Sequence, residues 1–230
     1  MNINVEGAKN VLAAIDAGLV KGSGKPVLGE MCVEQAVCFG LGLLFSDNPI
    51  CVAPALRLLK IRLNDSKWSS NKARAKGMRR LGLAQLGSKD ALDEKEFIAR
   101  VIKLVIQKQL PIALRAAASI QINDAHKKAL LDVAKKCEKK GNREAALEAK
   151  KIAADAAAAA ADAAAYAAAA AYAAAADAAA YAAADAADAA AYAKSSTRDK
   201  VLSEFAEDVV GILIDMKAPG CQWLYLTEEV

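Results

Sequence analysis

Histidine is scarce in this chain of 230 residues, because His126 is its single example. A catalytic thiol usually works with a neighbouring base, so a cysteine nucleophile assisted by histidine has one candidate partner. The five cysteines are odd in number, and their separations fit neither a disulfide framework nor a common zinc site. We therefore expect reduced cysteines, no metal site and no cofactor.

Long apolar runs are missing as well. A membrane-spanning helix needs roughly 18 uninterrupted apolar residues, whereas an Asp or Tyr interrupts the most apolar tract of this chain every few residues. The first residues also lack a basic stretch followed by an apolar run, which a signal peptide would show. These absences predict a cytoplasmic protein that has no membrane contact.

The net charge of +4 conceals two parts of opposite sign. Residues 1–154 contain 27 Lys and Arg against 15 Asp and Glu, whereas residues 155–230 contain 4 against 12. The first part therefore carries +12 and the second −8. This division favours an anionic partner for the first part, or contact between the opposite parts of neighbouring copies.

Apolar residues at helical spacing, together with capping residues, predict an all-α fold without a convincing strand. Extended structure is indicated only for the tail at Trp223 to Leu226. Pro111 predicts a break at which one helix ends and the next begins. The predicted helices cover Val5 to Leu19 with Asn4 as a candidate cap, Glu30 to Gly42, Pro54 to Asn64, a segment capped by Ser69 or Ser70 that ends at Leu86, a segment from Asp93 or Asp90, Pro111 to Ile120, a segment capped by Asn123 or Asp124 that ends at Lys136, and Thr197 to Lys217.

Residues 142–193 contain no Gly or Pro and are dominated by Ala, the residue with the best helix propensity. As one helix the segment would span roughly 78 Å at 1.5 Å per residue. Most of its Asp and Tyr residues fall within an arc of about 140° when residues are placed 100° apart. The opposite face is almost pure Ala, so one interpretation is that the segment packs on a helix or on a second copy. The alternative is an indifferent spacer that arose by repeat expansion. The members of this stripe are Asp155, Asp162, Tyr166, Asp177, Tyr181, Asp185, Asp188 and Tyr192.

We predict three regions on this basis: a compact basic helical body at 1–141, one very long Ala-rich helix at 142–194, and a return helix with a docking tail at 195–230. In the body, Lys21 to Pro26 has the composition of a flexible linker. It fails as a phosphate-binding loop, because Leu19 stands where the first Gly is required and Pro26 where a hydroxyl is required.

The strongest chemical signal lies between Arg57 and Arg80, where nine basic residues face Asp65 as the one acidic residue. A predicted helix start near Ser70 offers backbone N–H groups to anions, and an aromatic residue just before it could stack on a base. The stretch therefore predicts a site for nucleic acid or a phosphorylated small molecule. The alternatives are a plain solvated basic face, or a basic face that the acidic C-terminal part neutralises. The candidate ligand-binding residues are Arg62, Lys67, Trp68, Ser69, Asn71, Lys72, Arg74, Lys76, Arg79 and Arg80.

A second candidate site lies at Cys32, near a predicted helix start whose positive end would lower the pKa of the thiol. Glu34 and His126 are the candidate bases for this nucleophile. The alternative interpretation is that small buried cysteines pack a helix.

Three short segments resemble a group of uncharacterised bacterial and phage proteins: Met31 to Val37, Ser46 to Cys51, and Asn64-Asp65. The resemblance covers roughly residues 25 to 110 and, more loosely, the Ala-rich tract. It implies a bacterial or phage setting and no mechanism. The site residues that it suggests are Cys32, Glu34, Asp47, Cys51, Asn64 and Asp65.

Three functions remain open from the sequence. The leading one is a non-enzymatic protein that binds a phosphate-bearing ligand and assembles into a homo-oligomer through the Ala-rich helix. The others are a cysteine-dependent enzyme that uses Cys32, and a structural protein that assembles without a ligand.

Overall fold

The computed structural model describes residues 3–159, 169, 188 and 198–228. Within these residues every regular element is helical, and the only extended pairing there is an isolated bridge between Leu19 and Met31. The predicted all-α class is therefore confirmed. The elements are α1 (Val5–Asp16), α2 (Val33–Gly40), α3 (Pro54–Asp65), α4 (Asn71–Ala84), α5 (Glu94–Leu104), a π-helical turn (Val105–Gln109), α6 (Leu110–Ile120), α7 (Asp124–Lys140), α8 (Arg143–Ala159), α9 (Arg198–Asp215) and a 3₁₀ segment (Pro219–Thr227).

Side-chain caps begin three helices, in each case at one of the positions that the sequence predicts. The Asn4 side chain accepts a hydrogen bond from Gly7 N, and the Ser70 hydroxyl accepts one from Ala73 N. Asn123 caps α7 in the same way, and Gly141 ends that helix with a left-handed φ of 58°. These contacts satisfy N–H groups that a helix start otherwise leaves unpaired.

The predicted break at Pro111 is wrong, because α5, the π-helical turn and α6 form one continuous helix over residues 94–120. A proline lacks an N–H, and its ring collides with the carbonyl four residues earlier in a regular α-helix. The π-helical turn that immediately precedes α6 changes the hydrogen-bond pattern at this point. The helix therefore continues past Pro111 without a break.

The extended tail predicted at Trp223 to Leu226 is also wrong. Pro219–Thr227 forms a 3₁₀ helix that packs on α4 and α1. Gly220 permits this approach, since a Cβ atom there would lie 2.5 Å from the Leu83 carbonyl oxygen. Leu224 and Leu226 are buried, so the tail contributes to the apolar core.

The chain divides into two compact units. Unit 1 comprises Met1–Ile98 and Ala206–Val230. In it α1 packs on α2 and α4, and α2 packs on α3. Gly40 brings α1 and α2 close together, because a Cβ atom at this position would lie 2.5 Å from Val11 N. The core of unit 1 is built from aliphatic residues of these helices, such as Val11, Ile15 and Leu56.

Unit 2 comprises Ala99–Phe205, and in it α7 packs on both α6 and α8. Small side chains dominate the contact made by α8. Ala145, Ala149, Ala153 and Ala156 are all fully buried, and they recur at three- and four-residue spacing along one face. The contact of α8 within unit 2 is therefore lined by Ala.

The predicted 142–193 helix lies mostly outside the described residues. The structure describes α8, which ends at Ala159, and places Ala169 and Asp188 in helix. Arg198 at the start of α9 pairs with Asp188, with 2.9 Å between Nε and Oδ1. One member of the predicted stripe is thus engaged within unit 2.

Candidate functional site

The most unusual polar contact in the described residues is a buried ion pair in unit 1. Lys60 on α3 places its Nζ 2.9 Å from Oε1 of Glu34 on α2, and neither side chain is exposed to solvent. Glu34 falls in the first turn of α2, beside the buried residues Val33 and Val37. Lys60 falls on the buried face of α3, at helical spacing from Leu56 and Leu63. Packing of α2 on α3 therefore forces both charged groups into the interior.

Burial changes the protonation behaviour of both groups. Loss of solvent raises the pKa of the Glu34 carboxyl, and the nearby Lys60 only partly offsets this effect. Loss of solvent likewise lowers the pKa of the Lys60 ammonium, against the opposing influence of Glu34. A perturbed pair of this kind beside a cavity is characteristic of functional sites as well as of structural ion pairs.

A cavity of about 50 Å³ adjoins Glu34. We call it the acidic cavity, because three carboxylates contribute to its wall. The loop between α1 and α2 forms part of the wall, together with the start of α2 and the end of α3. The lining residues are Gly22, Ser23, Cys32, Val33, Glu34, Asp47, Ile61, Asn64 and Asp65.

Hydrogen bonds from two neighbouring residues on α3 hold the wall of the acidic cavity in place. Asn64 Oδ1 accepts from Val33 N, and its Nδ2 donates to the Val20 carbonyl. Asp65 Oδ1 accepts from Gly22 N at 2.8 Å. The Lys21 to Pro26 stretch, predicted as a flexible linker, is therefore attached to α3 by a hydrogen bond, and its Gly22 and Ser23 line the acidic cavity.

Asp47 belongs to the same wall. Arg57, which does not line the cavity, fixes Asp47 through two hydrogen bonds. The guanidinium donates to the Asp47 carbonyl at 2.6 Å and to its Oδ1 at 3.0 Å. Two carboxylates of the cavity thus have a basic partner, Glu34 with Lys60 and Asp47 with Arg57. Asp65 pairs with no cation in the described part of the chain.

Cys32 also lines the acidic cavity, yet its surroundings do not activate a thiol. Burial raises the pKa of Cys32, and this effect exceeds the lowering by backbone hydrogen bonds at the start of α2. The expected lowering of that pKa is therefore wrong. Burial raises the pKa of Cys38 and Cys51 too. His126, the other half of the predicted pair, lies on α7 in unit 2.

In the basic stretch, several predicted ligand-binding residues have structural contacts instead of free surfaces. The Trp68 side chain is buried and its Nε1 donates to the Leu63 carbonyl. Arg74 is buried too, and its guanidinium donates to the carbonyls of Asn64 and Leu19 and to the Asn71 side chain. These contacts join the start of α4 to the end of α3 and to the loop after α1.

Arg79 and Arg80 hold the C-terminal tail. Arg79 makes a two-pronged contact with Asp16 on α1, at 2.7 and 3.0 Å, and donates to the Thr227 carbonyl at 2.6 Å. Arg80 pairs with Glu207 at 3.0 Å and contacts the Thr227 hydroxyl. Both arginines therefore serve the packing of unit 1.

The remaining members of the basic stretch lie at the surface. Arg62 is in the last turn of α3, Lys67 is in the connection, and Lys72 and Lys76 are in the first two turns of α4. All four residues are exposed, as is Ser69 just before the Ser70 cap. We call these four cations the basic surface.

Five of the six residues suggested by the resemblance meet at the acidic cavity: Cys32, Glu34, Asp47, Asn64 and Asp65. Sequence reasoning did not predict that Lys60 pairs with Glu34, and counted it only as one of the nine basic residues between Arg57 and Arg80. Its spacing from Leu56 and Leu63 could have identified it, because a lysine on an apolar helix face must be buried with a partner.

Comparison with protein families, curated proteins and solved structures finds no match for this chain. Among the described residues, no group of three or more His, Cys, Asp or Glu side chains could hold a metal ion. No helix in that part of the chain is both long and apolar enough to cross a membrane.

Proposed function

We propose that the protein is a non-enzymatic binding protein, which holds a phosphate-bearing ligand on the basic surface formed by Arg62, Lys67, Lys72 and Lys76. One observation carries the proposal. Of the nine basic residues between Arg57 and Arg80, these four are exposed and bring four positive charges to the surface within one short stretch.

The junction of α3 and α4 favours an anion for two further reasons. Lys72 and Lys76 are four residues apart on α4, so their like charges repel, and a bound phosphate would relieve this repulsion. The N-terminus of α4 also presents backbone N–H groups and the positive end of the helix dipole. Arg74 ties this helix start to the end of α3, so Arg62 and Lys67 flank the same junction.

Nucleic acid fits this surface better than a single nucleotide. The four cations are exposed at the surface, and the buried Trp68 offers no face for stacking of a base. Spread cations suit a polymer of phosphates, whose binding is driven by release of counterions and is steeply salt-dependent.

Binding of labelled single-stranded DNA, RNA and a nucleoside triphosphate, measured by fluorescence anisotropy at two salt concentrations, tests the proposal. The double substitution K72E/K76E should weaken polymer binding about tenfold or more and reduce the salt slope by about two, because each lysine neutralises one phosphate. The matched control is K135E/K139E, two exposed lysines at the same spacing on α7 with the same change in charge. Equal losses in both variants, or no binding at low salt, would overturn the proposal.

We further propose that copies assemble through the Ala-rich segment. The motivation is the sequence of this segment, in which the face opposite the Asp/Tyr stripe is almost pure Ala, because small side chains let another backbone approach closely. Light scattering at low and high salt should report an oligomer. When residues are placed 100° apart, positions 168 and 179 fall opposite the Asp/Tyr stripe. The double substitution A168E/A179E should therefore reduce the mass to that of a monomer. A170E/A184E lies on the stripe side and should leave the mass unchanged, and a monomeric wild type would refute assembly.

A further inference from the structure

The acidic cavity has a composition that suits a ligand quite unlike the one proposed for the basic surface. Glu34, Asp47 and Asp65 contribute three carboxylates to its wall. Lys60 and Arg57 pair with two of them, which leaves one negative charge, on Asp65, without a cationic partner in the described part of the chain. An anion would be repelled here, whereas a single positive charge would balance the site.

Glu34 supplies a second and independent observation. The residue is completely buried, and its Oε2 has no hydrogen-bond partner among the described residues. A buried carboxylate oxygen without a hydrogen-bond donor destabilises the folded state, so a native site usually provides a donor. Because Glu34 lines the cavity, a ligand that enters the cavity can donate the missing hydrogen bond to its Oε2.

The shape of the site limits the size of the ligand group. A water molecule needs roughly 10 to 15 Å³ of cavity volume. A cavity of about 50 Å³ therefore holds a group the size of a methylammonium or guanidinium ion. A nucleotide is far larger. A metal ion is disfavoured, since no three suitable side chains lie close enough to ligate one in the described part of the chain.

We propose that the acidic cavity binds the cationic nitrogen group of a small molecule, a primary ammonium or guanidinium, through N–H donation to the carboxylates of Glu34 and Asp65. Asn64 and Arg57 act as positioning residues. Asn64 fixes the start of α2 through Val33 N, and Arg57 fixes Asp47 in the wall. The loop at Gly22, held by Asp65 Oδ1, closes the site on the side of α1.

Titration of the full-length protein with methylammonium chloride at constant ionic strength, followed by NMR of backbone amides, tests this proposal. Saturable shifts are expected at Gly22, Ser23 and Val33. Tetramethylammonium carries the same charge but has no N–H donor, so it should produce no saturable shift. An equal response to the two cations would overturn the proposal, as would a linear response to methylammonium.

Asp65→Asn provides the matched variant, because its amide oxygen can still accept from Gly22 N while the charge is lost. The affinity for methylammonium should fall about tenfold, as expected for loss of a charge-assisted hydrogen bond. Asp90→Asn is the control: Asp90 is exposed and has a φ of 63°, a conformation that Asn tolerates. Unchanged affinity in Asp65→Asn, with thermal unfolding showing that the variant is folded, would refute the assignment. Because the readout concerns cavity amides alone, it is independent of nucleic-acid binding.

Discussion

Lys60 and Glu34 lie 2.9 Å apart with neither side chain exposed, so each is the main compensation for the buried charge of the other. Lys60→Met keeps the volume of the side chain but leaves Glu34 without a cation. The free energy of unfolding at neutral pH should fall by about 3 to 5 kcal/mol, the usual cost of breaking a buried pair on one side. Denaturant unfolding measures this loss. The double substitution E34Q/K60M should recover part of it, and a loss equal to or larger than that of Lys60→Met would contradict the explanation.

The stability of Lys60→Met should also depend on pH in a defined direction. Burial raises the pKa of Glu34 above the ordinary value of 4.5, and Lys60 partly offsets this rise in the wild type. Removal of Lys60 therefore raises the pKa of Glu34 further in the folded variant. Between 4.5 and this raised pKa the folded variant binds more protons than its unfolded state, so its stability falls as pH rises. The destabilisation relative to wild type should therefore shrink as the pH is lowered towards 4.5. A defect that does not change between pH 7 and pH 5 would argue against an ionised Glu34 as its cause.

Gly40 and Gly211 should respond to alanine in opposite directions. At Gly40 the new Cβ would lie 2.5 Å from Val11 N, so α1 and α2 would be forced apart at a cost of about 1 to 3 kcal/mol. At Gly211 on α9 a Cβ would meet no atom within 4 Å, so alanine should stabilise the helix by about 0.5 to 1 kcal/mol. Thermal unfolding of the two variants makes the comparison, and equal effects would contradict it.

Arg79→Ala should destabilise unit 1, while Lys72→Ala on the same helix should not. Arg79 contacts Asp16 and the Thr227 carbonyl, and partial exposure of the pair limits the expected loss to about 1 to 2 kcal/mol. Lys72 is exposed, so its substitution should change stability by less than about 0.5 kcal/mol. A double-mutant cycle with Asp16→Ala isolates the contact, and a coupling energy near zero would show that the tail, not Asp16, is the main partner.

Alkylation of the native protein should start at Cys221 and proceed slowly. This thiol is partly exposed, but burial raises its pKa to about 11, so little thiolate is present at neutral pH. Its rate should rise about tenfold per pH unit between pH 7 and pH 9. The other four cysteines are buried, and burial raises the pKa of Cys137 to about 12. Mass spectrometry after timed quenching locates the label. Rapid labelling of Cys32 would contradict this prediction and support the alternative function of a cysteine-dependent enzyme.

Helix boundaries were predictable where a local contact decides them. The Asn4, Ser70 and Asn123 caps act within three residues of the helix start, so the sequence alone reveals them. Pro111 misled the prediction because a π-helical turn earlier in the chain resolves its clash. The tail was mispredicted because packing on α4, rather than its own sequence, determines the 3₁₀ helix.

The basic surface could be predicted from the sequence in part, whereas the acidic cavity could not. Lys72 and Lys76 lie on the polar face of α4, so their exposure could be predicted from the sequence. Arg74 shares the buried face of Met78 and Leu81, so not every basic residue of the stretch lies on the surface. The acidic cavity needed tertiary structure. Glu34 and Lys60 are 26 residues apart, and only the packing of α2 on α3 brings their charges together.

Unit 1 is discontinuous in the chain, and this imposes an order on its biosynthesis. The helix end and 3₁₀ segment that bury Leu224 and Leu226 begin at Ala206, after all of unit 2. Translation at about 5 to 20 residues per second gives a delay of roughly 5 to 20 s between Ile98 and Ala206. Throughout that interval α4 lacks its contact with the 3₁₀ segment. Arg79 and Arg80 also lack their acceptors on Thr227 and Glu207, which have not yet been synthesised.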